Sequence, residues 1–138
     1  MRKKKTPGKK LTRKEKRDLD IEISFLEGVV RRAPEYSEAL QVLGDSYTRR
    51  GKYPEGLKVD EQLAKLFPED PLVQYNLACS YSLTARLDLA ALALEQALTL
   101  GYRDFKWMVE DPDLENLRLD PVYRKIRAKV QSLQIKVS

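Results

Sequence analysis

Apolar residues in this chain recur at helical spacing, and the recurrence itself repeats. Leu40, Leu43 and Tyr47 stand three and four residues apart, which predicts one helical face over 38–50. Gly51 ends that helix, and "KYPEGL" opens the next with Pro54 in its first turn. Leu57, Leu63, Ala64 and Leu66 carry the second helix to a stop at Pro68. The pattern then runs again: a helix over 71–84, a turn from Ala85 to Asp88, and a helix over 88–100 capped by Gly101.

Displacing the sequence by 34 residues overlays its apolar skeleton. Leu43 falls on Leu77, Tyr47 on Tyr81, Leu66 on Leu100 and Pro34 on Pro68. Small residues fall on small ones, Gly44 on Ala78, Gly51 on Ala85 and Gly56 on Ala90. One step further back, Val30, Ala64 and Leu98 align, as do Ile23, Leu57 and Ala91. A fixed period of this length is the signature of a helical repeat.

The flanks fit the same scheme. Thr12 with Glu15 three residues on makes a capping-box pattern, and Leu19, Ile23, Leu26 and Val30 then form a stripe up to Pro34. This helix is half a unit, with residues 1–11 standing where its partner would be. Those residues have almost nothing to bury and are expected to be disordered. After Gly101 the pairs Asp111-Pro112 and Asp120-Pro121 signal helix starts, as Asp70-Pro71 does earlier. Short helices are expected near 103–109 and 112–118. A longer one over 121–134 would bury Tyr123, Ile126, Val130 and Leu133. The chain therefore divides into a basic tail, 1–11, and one domain, 12–138. That domain is a half-repeat 12–36, repeats 37–70 and 71–104, and a cap 105–138.

With its period and its Leu-Gly-x-x-Tyr segment, the chain resembles the tetratricopeptide repeat (TPR) family. Gly44, Tyr47, Gly51, Tyr53, Gly56 and Pro68 occupy the family's places in 37–70. Leu77, Ala78, Tyr81, Ala90 and Ala97 do so in 71–104, where Tyr102 replaces the closing proline. "DPDLENLRLDPVYRKI" resembles the helical cap of many bacterial TPR proteins. The resemblance implies an all-α solenoid of helical hairpins whose glycines serve helix packing. A phosphate loop would instead need a preceding strand and a terminal Lys-Ser/Thr, and neither is present.

The resemblance also implies a concave groove for a peptide or partner protein, lined by the first helix of each hairpin. Its inward positions would be Gln41, Asp45, Thr48 and Arg49, then Tyr75, Asn76, Cys79 and Ser82. Asn76 and Lys106 stand where the family's carboxylate clamp would be, but Gln41, Asp45 and Glu110 replace its expected lysine, asparagine and arginine. Two added acids repel a terminal carboxylate, so a basic or amide-rich peptide is the expected ligand.

Composition changes the picture in three ways. The chain has 138 residues, one domain's worth, with 34% charged and a net charge of +5. That charge is divided: residues 1–17 carry ten Lys/Arg against Glu15, and the remaining 121 carry sixteen against twenty acids. The basic residues Arg2, Lys3, Lys4, Lys5, Lys9, Lys10, Arg13 and Lys14 form an electrostatic footprint for nucleic acid. Without interleaved aromatics such binding would run through phosphates and be non-specific. This is the alternative to the adaptor reading.

Candidate chemistry is sparse. The chain has no histidine and a single cysteine, Cys79, placed mid-helix as a packing or groove residue. One cysteine fits a reducing compartment, with cytoplasm the default. Asp111, Asp113, Glu115 and Asp120 fail the calcium-loop pattern, because Pro112 stands second and no glycine stands sixth. They read as helix caps, and Phe105 and Trp107 as anchors of the cap. The expectation is a protein with no enzymatic activity, cofactor or metal. No apolar run approaches the ~20 residues that span a membrane. The uncapped N-terminal helix, marked by Phe25 or Val29, is a candidate surface for a homodimer.

Overall fold

Thr12 opens the first helix through the capping box that its spacing to Glu15 predicts. Its hydroxyl accepts from the Glu15 N–H and its own N–H donates to the Glu15 carboxylate, both at 3.1 Å. The computed structural model describes residues 10–137. Among them the secondary structure is all-helical: α1 (Arg13–Arg32), α2 (Ser37–Arg49), α3 (Tyr53–Leu66), α4 (Pro71–Leu83), α5 (Leu87–Leu100), α6 (Phe105–Glu110), α7 (Glu115–Arg118) and α8 (Tyr123–Val137). A 3-10 turn, Pro112–Leu114, separates α6 from α7.

The 34-residue period governs the backbone as well as the sequence. Both ends of α2 recur 34 residues later in α4, and both ends of α3 recur in α5. The joints recur too. Ala33 and Phe67 end α1 and α3 with the same φ of −134°. Gly51 and Ala85 make the turns inside each pair at φ 84° and 60°. In both turns a reaching N–H closes the loop, Lys52 to the Tyr47 carbonyl at 2.8 Å and Arg86 to the Tyr81 carbonyl at 2.9 Å. Even the ties between helices repeat: the Tyr47 hydroxyl donates to Glu27, and the Tyr81 hydroxyl to Glu61.

Each helix from α1 to α4 packs against the next in the chain, and α8 returns onto α5. Two apolar clusters result. Ile23, Leu26, Leu40, Leu43, Val59, Leu63 and Val73 fill one; Leu77, Leu94, Leu98, Met108, Leu114, Leu117 and Ile126 lead the other. Ala64 of α3 touches both and joins them. The α2–α3 crossing is close because Gly56 has no side chain: a Cβ there would lie 3.1 Å from Thr48 Oγ1 and 3.6 Å from the Gly44 carbonyl.

Two elements differ from the sequence expectation. The helix expected over 112–118 starts as a 3-10 turn, because the Asp111 side chain accepts from the Asp113 N–H and its carbonyl from the Leu114 N–H. The helix expected at 121 starts at Tyr123. Asp120 holds the Val122 N–H at 2.9 Å, and the tight bonds Tyr123 to Asp120 and Arg124 to Pro121 delay the α-helical register. Tyr123 and Ile126 are buried as expected, while Val130 and Leu133 are only half-buried against the core.

Ala85 holds a left-handed backbone that costs a residue with a Cβ about 1–2 kcal/mol. Ala85→Gly is therefore expected to raise stability by about 1 kcal/mol, and Gly51→Ala to lower it by a similar amount. Urea midpoints of the two variants, compared with the parent, test the pair; equal midpoints would contradict it.

Candidate functional site

Helices α2 and α4 and the segment from Gly101 to Trp107 surround a groove of about 830 Å³. Gln41, Val42 and Asp45 form one wall, and Pro71, Leu72 and Asn76 of α4 the middle. Tyr102, Arg103, Asp104 and Trp107 close the far side. Val42 and Leu72 are 45% and 39% exposed, which leaves apolar surface open beside the polar groups.

The groove is acidic. Asp45, Asp60, Asp70, Asp104 and Asp111 face Arg103 alone among the charged lining residues. Three of these carboxylates lie at the accessible rim. Asp70 caps α4 through the Leu72 and Val73 N–H groups at 2.9 and 3.3 Å, and Asp104 caps α6 through the Trp107 N–H at 3.2 Å. Asp45 is half-buried on α2. The Arg103 guanidinium turns back to the Leu98 and Tyr102 carbonyls, both at 2.8 Å.

The floor is a buried polar network. The Tyr75 hydroxyl donates to Asp111 Oδ2 at 2.8 Å, and Cys79 Sγ lies 3.6 Å from the same oxygen. The Tyr75 ring stacks on Tyr102 with centroids 4.2 Å apart and planes 10° apart. Burial, with neighbouring Cys79 and Asp111 adding, pushes the Tyr75 hydroxyl far above the usual tyrosine range. Burial raises Tyr102 as well. Asp60 is buried and accepts from the Ser80 hydroxyl.

Of the groove residues expected from sequence, Gln41, Asp45, Tyr75 and Asn76 come together here, with Tyr75 in the floor. Five others do not. Thr48 is buried at the α2–α3 crossing and donates to the Gly44 carbonyl. Cys79 is sealed beneath the floor, 1% exposed. Ser82 is an anchor for the cap: its hydroxyl accepts from the Leu117 N–H, and its carbonyl from the Asn116 side chain. Arg49 borders a separate depression at the carboxyl end of α2, and exposed Lys106 does not line the groove. Glu110 is likewise exposed and outside the lining. The residues that sequence reading missed are Asp60 and Asp111, buried carboxylates, and the rim caps Asp70 and Asp104. Trp107, expected only as an anchor of the cap, joins the groove wall.

At the other end of α2 the charge reverses. Lys10, Lys16, Arg49 and Arg50 border a shallow depression of about 300 Å³ together with Leu11, Gly51 and Tyr53. Arg50 Nε pairs with Asp20 at 2.9 Å. Arg13 and Lys14 are exposed on the first turn of α1, while Arg2, Lys3, Lys4, Lys5 and Lys9 lie outside the described residues. On the outer face of α1, Phe25 and Ile21 are exposed, but Val29 packs against the core and does not mark a free surface. Among the described residues no group of three or more His, Cys, Asp or Glu could hold a metal ion, and no helix is long and apolar enough to cross a membrane.

No family model matches the chain. Among curated proteins it is similar to a chloroplastic protein of Arabidopsis thaliana, at 40% identity over an alignment of 89 residues. That alignment takes in 59% of this chain and 27% of the relative, so the chain matches little more than a quarter of that protein's length.

The tyrosine network gives the fold an alkaline limit. Unfolded tyrosines ionise near pH 10, where folded Tyr75 and Tyr102 keep their protons. The unfolded chain then binds fewer protons than the folded one, so stability from these groups is constant below about pH 10 and falls as pH rises beyond it. Urea midpoints measured from pH 8 to 11 are expected to show this decline. Tyr75→Phe should make it shallower; an unchanged slope would contradict the assignment to Tyr75.

Proposed function

We propose that this chain is a non-enzymatic, TPR-like protein-interaction module that holds an extended basic segment of a partner protein in its acidic groove. The observation that carries the reading is the composition of the groove, in which three consecutive 34-residue registers each contribute a rim carboxylate or an apolar contact. Asp70 and Asp104 are the same position one period apart, and Asp45 stands opposite them on α2. Support for the TPR-like reading comes from the recurrence of helix ends, turn dihedrals and interhelical ties at that period. An extended peptide has backbone for Asn76 and Gln41 to bond, cations for the rim, and a side chain for the surface of Val42, Leu72 and Trp107.

Like charges placed across an interface are strongly unfavourable, so charge reversal is the sharpest test. Asp45→Lys is expected to weaken binding of a lysine-rich peptide at least tenfold, about 1.4 kcal/mol, with urea stability measured alongside to separate binding from folding. Isothermal titration against basic and acidic peptide pools measures it. Equal affinity of parent and variant, or a preference for the acidic pool, would overturn the reading.

A second reading draws on the cationic corner at Lys10, Lys16, Arg49 and Arg50, which continues the basic run of the arm. In it, the chain contacts nucleic-acid phosphates there and the affinity falls steeply with salt. Binding of single-stranded RNA should then show a log–log salt slope of several units, and Lys16→Gln with Arg49→Gln should reduce that slope. The compartment proposed from the single cysteine is the cytoplasm, whereas the relative's printed name assigns that protein to the chloroplast. A fluorescent fusion in the native cell decides between them.

A further inference from the structure

We infer that the acidic groove has an occupant within this chain, the basic arm of residues 1–9. The inference rests on the groove being a binding site for basic segments and names one that this chain carries. The arm, "MRKKKTPGK", carries Arg2, Lys3, Lys4, Lys5 and Lys9 and no acid. It joins the body at Lys10, which lies in one depression with Arg49 at the carboxyl end of α2. Arg49 is one helical turn from Asp45, and Asp45 one turn from Gln41, so the root of the arm and the groove are linked by a single stripe of α2. Neighbours at that spacing are about 5–6 Å apart.

Length permits the contact. Nine residues in extended form reach about 30 Å, enough to leave Lys10, pass Asp45 and run on between Asp70 and Asp104. Charge directs it. The corner below the arm gathers Lys10, Lys16, Arg49 and Arg50, where Asp20 pairs with Arg50, so the described side chains there carry a net positive charge. The groove along the same helix presents Asp45, Asp70 and Asp104 at its rim. Proline has a restricted backbone, so Pro7 lowers the ordering cost of laying the arm in a groove. A tether this short sets an effective concentration in the millimolar range, so the arm competes with any client of modest affinity.

The single tryptophan of the chain, Trp107, lines the groove and reports its occupancy. Three full-length proteins are compared by Trp107 emission: the native chain, an arm variant with Lys3→Gln, Lys4→Gln, Lys5→Gln and Lys9→Gln, and a groove variant with Asp45→Asn and Asp104→Asn. Asparagine at 104 keeps the helix cap, so the groove variant folds on the same terms. Expected are matching emission shifts in the two variants relative to the native chain, reproduced in the native chain by added salt and independent of protein concentration. A synthetic peptide of residues 1–11 should bind the arm variant at least tenfold more tightly than it binds the native chain.

Equal affinity of that peptide for native chain and arm variant would overturn the intramolecular contact while leaving the groove as a basic-peptide site. A shift that grows with protein concentration would also overturn it, since the occupant would then be another molecule's arm. Failure of both this peptide and an unrelated lysine-rich peptide to bind the arm variant would overturn the arm proposal together with the groove reading beneath it.

Discussion

The arrangement of this molecule depends on one buried carboxylate. Asp111 is fully buried, and a buried charge is tolerated only where hydrogen-bond donors replace water. Here the donors are the Tyr75 hydroxyl, the Cys79 thiol and the Asp113 N–H. Two of the three come from α4, so the end of α6 is fastened to the helix that forms the middle of the groove. Tyr75, held by that bond, is also stacked on Tyr102. The segment from Gly101 to Trp107 is thereby fixed at both ends, and the far wall of the groove has a defined position. Loss of one donor would leave the carboxylate short of partners in a dry site, which is the costly way to break such a network.

The same residue decides where the repeating array ends. α6 begins at Phe105, 34 residues after Pro71, in register with the first helix of a further unit. It stops after six residues, because Pro112 has no N–H for the next helical bond and Asp111 folds the chain into a tight turn. The chain then runs back under α4. Leu114 and Leu117 enter the core, and the Leu117 N–H finds the Ser82 hydroxyl. α8 covers the open side of α5 with Tyr123 and Ile126. An unfinished unit has thus been turned into a closing element, with its first half still in use as a wall.

How much of this was legible in the sequence follows from how local each signal is. Helix ends were legible because their determinants are adjacent residues: Thr12 with Glu15, Pro34, Gly51, Pro68, Asp70-Pro71 and Gly101. Ala85 carries no such signal by itself, and only its register with Gly51 points to a left-handed turn. Of the inward positions that the family resemblance implied, Gln41, Asp45, Tyr75 and Asn76 line one groove. Thr48, Cys79 and Ser82 are covered instead, because a place on a helix says which face a residue is on and not what covers that face. The carboxyl half of α4 is covered by the 3-10 turn and α7, and Gly56 presses α3 onto Thr48. Asp60 and Asp111 were illegible for the opposite reason. Aspartate is ordinarily exposed, and the partners that permit its burial lie 20 to 36 residues away.

The acidity of the groove has its origin in the fold. Asp70 and Asp104 recur because α4 and α6 both begin at that position, where an aspartate satisfies orphan N–H groups and complements the helix dipole; α2, one period earlier, starts from Tyr36 without such a cap. Successive helix starts are brought side by side by the packing, so a residue suited to capping is stacked into a row. Two of the three rim carboxylates are then a consequence of periodicity, while Asp45, with Cys79 one period on, is not. The rest of the groove's lining comes from what is not periodic. Trp107 stands one period after Val73, Tyr102 one period after the closing proline Pro68, and Arg103 one period after Glu69. Those substitutions fall together on the far wall, where the array departs from its repeat. Capping and charge can be separated there by chemistry alone, because asparagine caps a helix as aspartate does but carries no charge, so the two roles of Asp104 are open to independent measurement.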